Sequence, residues 1–96
     1  MKAYIIVDVK VTDAKRYEEY KKLTPGTLAA FEGKFIVRGG STNTLEGNWQ
    51  PGRVVVLEFP SFEKANAWWS SDLYAPAKAI RQAASITQMI VVEGAS

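Results

Sequence analysis

Two carboxylates set in apolar, β-branched segments are the first residues of this sequence whose type and setting suggest chemistry. Asp8 lies in the run Ile-Ile-Val-Asp-Val, and Glu58 lies in the run Val-Val-Val-Leu-Glu-Phe. Because side chains alternate between the two faces of a strand, both carboxylates are predicted to share one sheet face. One of them, with its pKa raised by desolvation, would act as a general base on a carbon acid. The alternative is that both neutralise Arg38 and Arg53 and fix a dimer.

Arg38 ends a third β-branched segment and is followed directly by Gly39 and Gly40. A guanidinium group offers a planar fork of donors to a carboxylate or an enolate, and glycines let a ligand approach the backbone. These three residues, together with Arg53, are therefore candidate ligand-binding residues. The alternative is that Arg38 forms an internal salt bridge to one of the two carboxylates, while the glycines only make a turn.

Tyr74 and Arg81 follow a helix-capping signal at Ser71-Asp72, on a helix predicted to border the mouth of a cavity. Tyr74 would donate a hydrogen bond to a substrate oxygen, and Arg81 would hold the charge of the substrate. The alternative is that Tyr74 anchors the helix and Arg81 pairs with an acidic neighbour.

The three tryptophans have different predicted places. Trp68 and Trp69 are adjacent and cannot share a helix face, so one is predicted in the core and the other at the rim or at an interface. Trp49 lies in a long loop, from which it would cover the cavity or reach a partner chain.

The order of strand and helix patterns predicts a single domain over residues 1–96. Two strand–helix–strand units in tandem imply a four-stranded antiparallel sheet, and right-handed crossovers give the strand order 4-1-3-2. The fold class is therefore α+β, ferredoxin-like, with the order β-α-β-β-α-β and helices on one face of the sheet. The predicted strands cover 3–9, 34–38, 53–59 and 86–92, the helices cover 13–32, Ser61 through Trp69, and 74–84, and residues 44–46 of the long loop 41–52 are a candidate edge strand.

The first helix carries a proline inside its predicted span. Positions spaced by three and four residues, beginning with Tyr17 and Tyr20, mark the buried face of this helix. Pro25-Gly26 is predicted to kink or break it, because proline removes a backbone donor and crowds the preceding turn. Gly33 is predicted to end the helix as its C-terminal cap.

Alternation divides the predicted sheet into two faces of different character. The face predicted to lie under the helices is wholly apolar: Ile5, Val7, Val9, Phe35, Val37, Val55, Leu57 and Phe59. The other, the helix-free face, comprises Tyr4, Ile6, Asp8, Lys34, Ile36, Arg38, Val54, Val56 and Glu58, with either Gln88, Ile90 and Val92 or Thr87, Met89 and Val91 from the last strand. This face is too apolar to be left in water and too charged for a dry core. A second copy of the chain is therefore predicted to cover it, giving a homodimer that encloses a wet cavity.

Composition excludes several classes of chemistry. The sequence contains neither cysteine nor histidine, which removes disulfides, nucleophilic triads, the common zinc ligands and the usual haem ligands. Glycine patterns for phosphate or dinucleotide binding are also absent, so we expect no cofactor and no metal. The net charge of +2 is scattered, which argues against nucleic acid, and no segment approaches the ~20 apolar residues of a membrane span. The lack of cysteine suits a reducing cytoplasm.

An ordered series of motifs covers essentially the whole chain: Arg38-Gly39-Gly40, Leu45-Glu46-Gly47-x-Trp49, the segment from Arg53 to Ser61, Ser71-x-x-Tyr74, Arg81 and Val92-Glu93-Gly94. In this series the chain resembles the family called domain of unknown function 1330. The resemblance implies membership of the dimeric α/β-barrel superfamily, in which two ferredoxin-like sheets pack face to face. Relatives there include cofactor-independent oxygenases, haem-degrading enzymes, lactone isomerases and stress-related proteins, so the fold alone assigns no activity.

The leading hypothesis is a small-molecule-binding homodimer whose cavity takes an organic acid or an aromatic ligand. Arg38 would anchor the anion, and Glu58 or Asp8 would accept a proton. Catalysis would be cofactor-independent: isomerisation, lyase chemistry or direct oxygenation of an activated substrate. The alternative is a non-catalytic structural or stress-related dimer with an internal salt-bridge network. An open pocket favours the first hypothesis, whereas direct contact between Arg38 and Glu58 with no void favours the second.

Overall fold

The computed structural model describes residues 1–95. Its elements are β1 (Ala3–Val11), α1 (Ala14–Ala29), β2 (Lys34–Arg38), β3 (Arg53–Phe59), α2 (Phe62–Ser70), α3 (Ala75–Ala84) and β4 (Ser85–Glu93). The strands form one antiparallel sheet in the order β2-β3-β1-β4, which is the predicted order 4-1-3-2 viewed from the opposite edge. The ferredoxin-like α+β fold is therefore confirmed. Residues 44–46, proposed as an edge strand, form no strand.

The core lies between one sheet face and the three helices. The predicted apolar face is confirmed in β1 and β3, whose six inward residues are all buried: Ile5, Val7, Val9, Val55, Leu57 and Phe59. Pairing of β1 with β4 decides the register that the sequence left open. Gln88 lies opposite Asp8 and Ile90 lies opposite Ile6. Because directly opposed residues share a face, Gln88, Ile90 and Val92 belong to the helix-free face, while Met89 and Val91 pack against the core.

A β-bulge in β2 reverses part of the predicted face assignment. Phe35 pairs with Leu57, but after the irregularity Val37 pairs with Val56 and Arg38 with Val55. One extra residue on a strand moves every later side chain to the opposite face. Arg38 therefore points to the helix-covered side, and the prediction that it lies on the helix-free face is wrong. Val37, predicted under the helices, is likewise on the other side and is exposed.

Pro25 does not break the first helix, because α1 runs continuously through it. Proline lacks the N–H that would bond to the carbonyl four residues earlier, so the Lys21 carbonyl loses its helical partner. The Arg38 guanidinium replaces that donor, since its Nη2 lies 3.4 Å from the Lys21 carbonyl oxygen. The predicted break is thus wrong, and the bulge in β2 supplies the side chain that satisfies the orphaned carbonyl.

Gly33 takes part in closing the end of α1, as predicted, but the left-handed residue there is not the glycine. Glu32 takes the left-handed conformation, with φ of 59°. The Gly33 N–H donates to the Leu28 carbonyl at 2.9 Å, which closes the helix end in the manner of a Schellman motif. Gly33 is needed for space instead, because a Cβ there would overlap the Phe59 ring.

A serine hydroxyl caps α2 where the sequence predicted it, and a second one, at the predicted Ser71, caps the turn that precedes α3. The Ser61 hydroxyl accepts from the Lys64 N–H at 3.1 Å, and the Ser71 hydroxyl accepts from the Tyr74 N–H at 3.1 Å. Within residues 1–95, none of the helices is long and apolar enough to cross a membrane.

Substituting Gly33 by alanine tests the tight packing at the end of α1. We expect Gly33→Ala to lower the free energy of unfolding by about 1–3 kcal/mol, because the new methyl group overpacks against Phe59. Gly26→Ala is the matched control, since a Cβ at this helical position meets no heavy atom within 4 Å. It should raise the unfolding free energy by about 0.5–1 kcal/mol. Urea denaturation at equal protein concentration measures both values, and equal effects of the two variants would contradict this packing.

Candidate functional site

The buried stripe of α1 is lined with hydroxyl groups. Thr24 donates to the Tyr20 carbonyl at 2.7 Å, and Thr27 donates to the Thr24 carbonyl at 2.8 Å. The indole of Trp68, fully buried on α2, donates to the Thr27 hydroxyl at 3.1 Å. With Tyr17, this stripe puts a polar layer inside a core whose sheet side is apolar.

Tyr20, Tyr74 and Arg81 meet within this layer. The two tyrosine hydroxyls are 2.7 Å apart, and Nε of Arg81 donates to the Tyr74 hydroxyl at 3.2 Å. The Trp68 ring stacks on Tyr74 with 3.9 Å between ring centroids. Burial raises the pKa of Tyr20 above the usual tyrosine range, and the charge and hydroxyl of Tyr74 add to the rise. Tyr20 therefore stays protonated near neutral pH.

Arg81 is a buried cation without an anionic partner. Its residue surface is only 4% exposed, and no carboxylate of residues 1–95 lies within 4.0 Å of it. Its one side-chain hydrogen bond to the described part of the chain uses Nε, which leaves the Nη nitrogens without a protein acceptor. The Nη nitrogens keep some contact with solvent, so burial costs the guanidinium only part of its hydration, and its charge remains open to an anionic partner.

Arg81 separates two spaces of different size. The first, the Arg81 cleft, is an open cleft of about 310 Å³ between α2, α3 and β4. The second, an inner cavity of about 20 Å³, lies between α1 and the sheet, next to Tyr17 and Tyr20. Arg81 and Met89 line both spaces. The Arg81 cleft is lined by Ile5, Ala65, Asn66, Trp69, Arg81, Gln82, Thr87, Met89, Ile90 and Val91, so its wall contains one cation and no carboxylate.

Tyr74 and Arg81 were predicted at a cavity mouth, and the structure brings them together in the interior on the helix-covered side. The predicted alternative, a salt bridge from Arg81 to an acidic neighbour, is not formed among residues 1–95. Trp68 is fully buried and Trp69 is 42% exposed at the cleft, which confirms the predicted division between core and rim.

Asp8 holds the loop 41–52 against the helix-free face. Its carboxylate accepts from the Trp49 indole at 2.8 Å and from the Gly52 N–H at 2.9 Å. These two hydrogen bonds, that from Trp49 first, hold the pKa of Asp8 below its usual value. A carboxylate with a lowered pKa is a weak base, so its environment does not favour the general-base role. An open cleft of about 340 Å³ lies here, between Trp49, Lys10 and Gln88.

Glu58 shares the helix-free face with Asp8, as predicted, but the two carboxylates are not a pair. Glu58 lies opposite Tyr4, four residues along β1 from Asp8, a separation of about 13 Å. Lys2 and Lys34 each place an ammonium group 3.4 Å from a Glu58 oxygen. The predicted contacts of Glu58 or Asp8 with Arg38 and Arg53 are absent from the described residues.

Arg38, Gly39, Gly40 and Arg53 cluster at the open end of β2 and β3. The guanidinium of Arg38 lies over the Phe35 ring, 4.1 Å from its centroid. Gly39 has a left-handed φ of 72°, and a Cβ there would overlap the Arg53 guanidinium. The two arginines point to the helix-covered side of the sheet, opposite the buried Val9 and Val55.

Sequence reasoning missed Tyr17, Tyr20 and Trp68 as components of a site. Tyr17 and Tyr20 were taken only as positions of a helical stripe, although that stripe continues through two threonines and is hydroxylated along most of its length. A buried helix face with four hydroxyl side chains was the available signal. Residues 1–95 contain no group of three or more Asp or Glu side chains placed to hold a metal ion.

Known structures share this fold at low sequence identity. A protein of unknown function from Rhodopseudomonas palustris gives a TM-score of 0.80 at 18% identity, covering 99% of this chain and 83% of that one. A dimeric ferredoxin-like protein of unknown function from Jannaschia sp. CCS1 gives 0.72 at 13%, covering 98% and 100%. SnoaB, a cofactor-independent oxygenase from Streptomyces nogalater, gives 0.66 at 12%, covering 99% and 94%. At these identities the similarity establishes the fold alone.

No curated protein matches the sequence. One family model does, over residues 2–95, and its description is domain of unknown function (DUF1330).

The anchoring of the loop 41–52 by Asp8 predicts a pH dependence. Because the pKa of Asp8 is lowered in the folded state, its stabilising contribution is present above the unfolded value of 3.8 and is lost as the pH falls further. We expect the indole N–H resonance of Trp49 to shift as the pH falls below about 4. Asp8→Asn should remove this shift, while the other two tryptophan resonances serve as internal controls. A Trp49 resonance that still shifts in Asp8→Asn as it does in the native protein would show that Asp8 does not cause the shift and does not hold the loop.

Proposed function

The chain belongs to the DUF1330 family, and we propose that it binds a small organic anion in the Arg81 cleft. One observation carries this proposal: the buried Arg81 has no carboxylate partner among residues 1–95, while the cleft beside it is open. A guanidinium binds carboxylates and enolates through parallel hydrogen bonds. An incoming anion would therefore repay a desolvation cost that the fold already bears.

The side chains that line the cleft favour an anion with an aromatic ring or another unsaturated group. Trp69 supplies a flat face, and Met89 supplies an adaptable apolar surface. Asn66, Gln82 and Thr87 add neutral hydrogen-bonding groups that would orient a polar substituent. A volume of about 310 Å³ lies at the lower end of small-molecule pockets, which suits a ligand of one or two rings.

A catalytic reaction in this cleft would be cofactor-independent. Arg81 would stabilise an enolate or phenolate, and Tyr20 and Tyr74 would keep the guanidinium oriented. The wall of the Arg81 cleft contains no carboxylate, so a substrate that ionises readily in solution suits it best. The fold shared with SnoaB makes direct oxygenation of such an activated substrate one candidate reaction, beside isomerisation and lyase chemistry.

We also propose that the protein is a homodimer whose copies pack through the helix-free face. Several of its apolar residues are exposed in the single chain: Ile36, Ile86, Ile90 and Val92. A patch of this kind is unfavourable in water and is typical of an interface. The Jannaschia protein with this fold is dimeric, which supports the proposal.

The alternative function is a non-catalytic dimer. It is supported by the salt bridges of Glu58 with Lys2 and Lys34, which neutralise the Glu58 carboxylate on the helix-free face without a ligand. In that case the Arg81 cleft would bind no organic acid, and benzoate binding would not depend on Arg81.

Replacing Arg81 by methionine tests the ligand site. We expect Arg81→Met to reduce the affinity for benzoate at least about tenfold, because the anion loses its charge partner. The free energy of unfolding should not fall and should rise by about 1–4 kcal/mol, since an unpaired buried charge is removed. Calorimetric titration and urea denaturation measure the two effects, with benzyl alcohol as the uncharged control ligand. Unchanged benzoate binding, or a loss of several kcal/mol in stability, would make Arg81 a structural residue.

Placing a charge in the proposed interface tests the dimer. Ile90 is 61% exposed on the helix-free face, where it lies on the edge strand β4 opposite Ile6. We expect light scattering to give twice the chain mass of 10.6 kDa for the native protein at micromolar concentration, and one chain mass for Ile90→Lys. Leu73→Lys, a change at an exposed leucine outside the sheet, should leave the dimer intact. A native protein of one chain mass would rule the dimer out.

A further inference from the structure

Two arginines lie side by side on the helix-covered side of the sheet, away from the Arg81 cleft. Arg53 pairs with the buried Val9, and Arg38 pairs with the buried Val55 after the bulge. Because Arg53 and Val55 are two residues apart on β3, Arg38 and Arg53 are diagonal neighbours, about 7–8 Å apart at their backbones. Neither arginine lines the cleft or the inner cavity.

Neither guanidinium is neutralised within residues 1–95. No carboxylate there lies within 4.0 Å of either group. Arg38 uses one nitrogen on the Lys21 carbonyl, and Nε of Arg53 is buried with no hydrogen-bond partner. Two like charges at a diagonal sheet position repel each other, and a buried donor without an acceptor adds its own desolvation cost. An anion that reaches the exposed parts of the two groups relieves their repulsion.

The two glycines beside the arginines have different surroundings. The Gly39 backbone packs against the Arg53 guanidinium so closely that only glycine fits, and its left-handed conformation turns the chain there. At Gly40 the position of a Cβ meets no heavy atom within 4 Å, so this side of the turn is open. Tyr17 lies close enough to sense the charge of Arg53. Burial raises the pKa of Tyr17, and this positive charge offsets part of the rise.

We propose that Arg38 and Arg53, with the open turn at Gly39-Gly40, form a second binding site that takes a phosphate-sized dianion. Two guanidinium forks supply more donors and more charge than a single carboxylate requires, and they match the tetrahedral oxygens of phosphate. The bulge in β2 serves this site directly, because without it Arg38 would point to the opposite face of the sheet.

Phosphate titration of isotope-labelled protein, at mildly alkaline pH and constant ionic strength, tests the site. We expect the amide resonances of Gly39 and Gly40 to shift saturably with inorganic phosphate and hardly at all with acetate. Arg38→Met and Arg53→Lys should each weaken the affinity at least about tenfold, the second because it keeps the charge but loses the fork. Arg16→Met, a change of equal charge at an exposed residue of α1, should leave the affinity unchanged. Phenyl phosphate in a parallel titration shows whether a free ion or an esterified phosphoryl group binds more tightly.

Two results overturn the proposal. Shifts that never saturate, or an equal loss of affinity in Arg16→Met, mean that phosphate is attracted only by the overall charge. Because Arg38 is exposed, Arg38→Met keeps the test available if the Arg53 variant does not fold. Failure here leaves the organic-anion site untouched, because that site is judged by benzoate binding to Arg81→Met.

Discussion

The burial of one positive charge shapes the interior of this protein. Arg81 enters the core from α3 and finds tyrosine hydroxyls there but no carboxylate within residues 1–95. The hydroxyl stripe of α1, the stacked Trp68 and Tyr74, and the narrow cavity beside them all surround this group. A domain of this size has little stability to spare, so a charge kept at such a cost indicates a use for it. Binding an anion is the use that the open cleft supports.

A second structural theme is the link between a proline and a bulge. Pro25 leaves the Lys21 carbonyl without a helical donor, and the bulge in β2 turns Arg38 to the side where it supplies one. Each feature alone is unfavourable: a proline inside a helix costs about 3 kcal/mol, and a bulge interrupts the ladder of sheet hydrogen bonds. Together they place a guanidinium beside Arg53. The proline in α1 and the bulge in β2 therefore both lie next to the pair Arg38 and Arg53.

The sequence was sufficient for the architecture because regular strands obey simple alternation. β1 and β3 have no irregularity, and all their predicted inward residues are buried. Alternation failed in β2, since no local signal marks the extra residue before Val37. The strength of a proline as a helix breaker was also overestimated, because the compensating donor comes from a residue 17 positions beyond Lys21 in the chain.

The candidate site was only partly accessible to sequence reasoning. Tyr74 and Arg81 were named, but the predicted chemistry centred on the carboxylates of the helix-free face, whereas the proposed site lies on the other side of the sheet. Asp8 and Glu58 have structural partners that could not be foreseen, because Trp49 and Gly52 come from an irregular loop and Lys2 from the chain start. The sequence likewise does not show whether a carboxylate lies near Arg81, because that depends on how distant segments pack together.

A crystal structure of the protein grown with benzoate shows whether the buried Arg81 binds an anion. We expect the benzoate carboxylate to lie within hydrogen-bonding distance of the Nη nitrogens of Arg81, with its ring in the cleft beside Trp69. A carboxylate from the protein itself in that position, whether from the same chain or from a second copy, would contradict it.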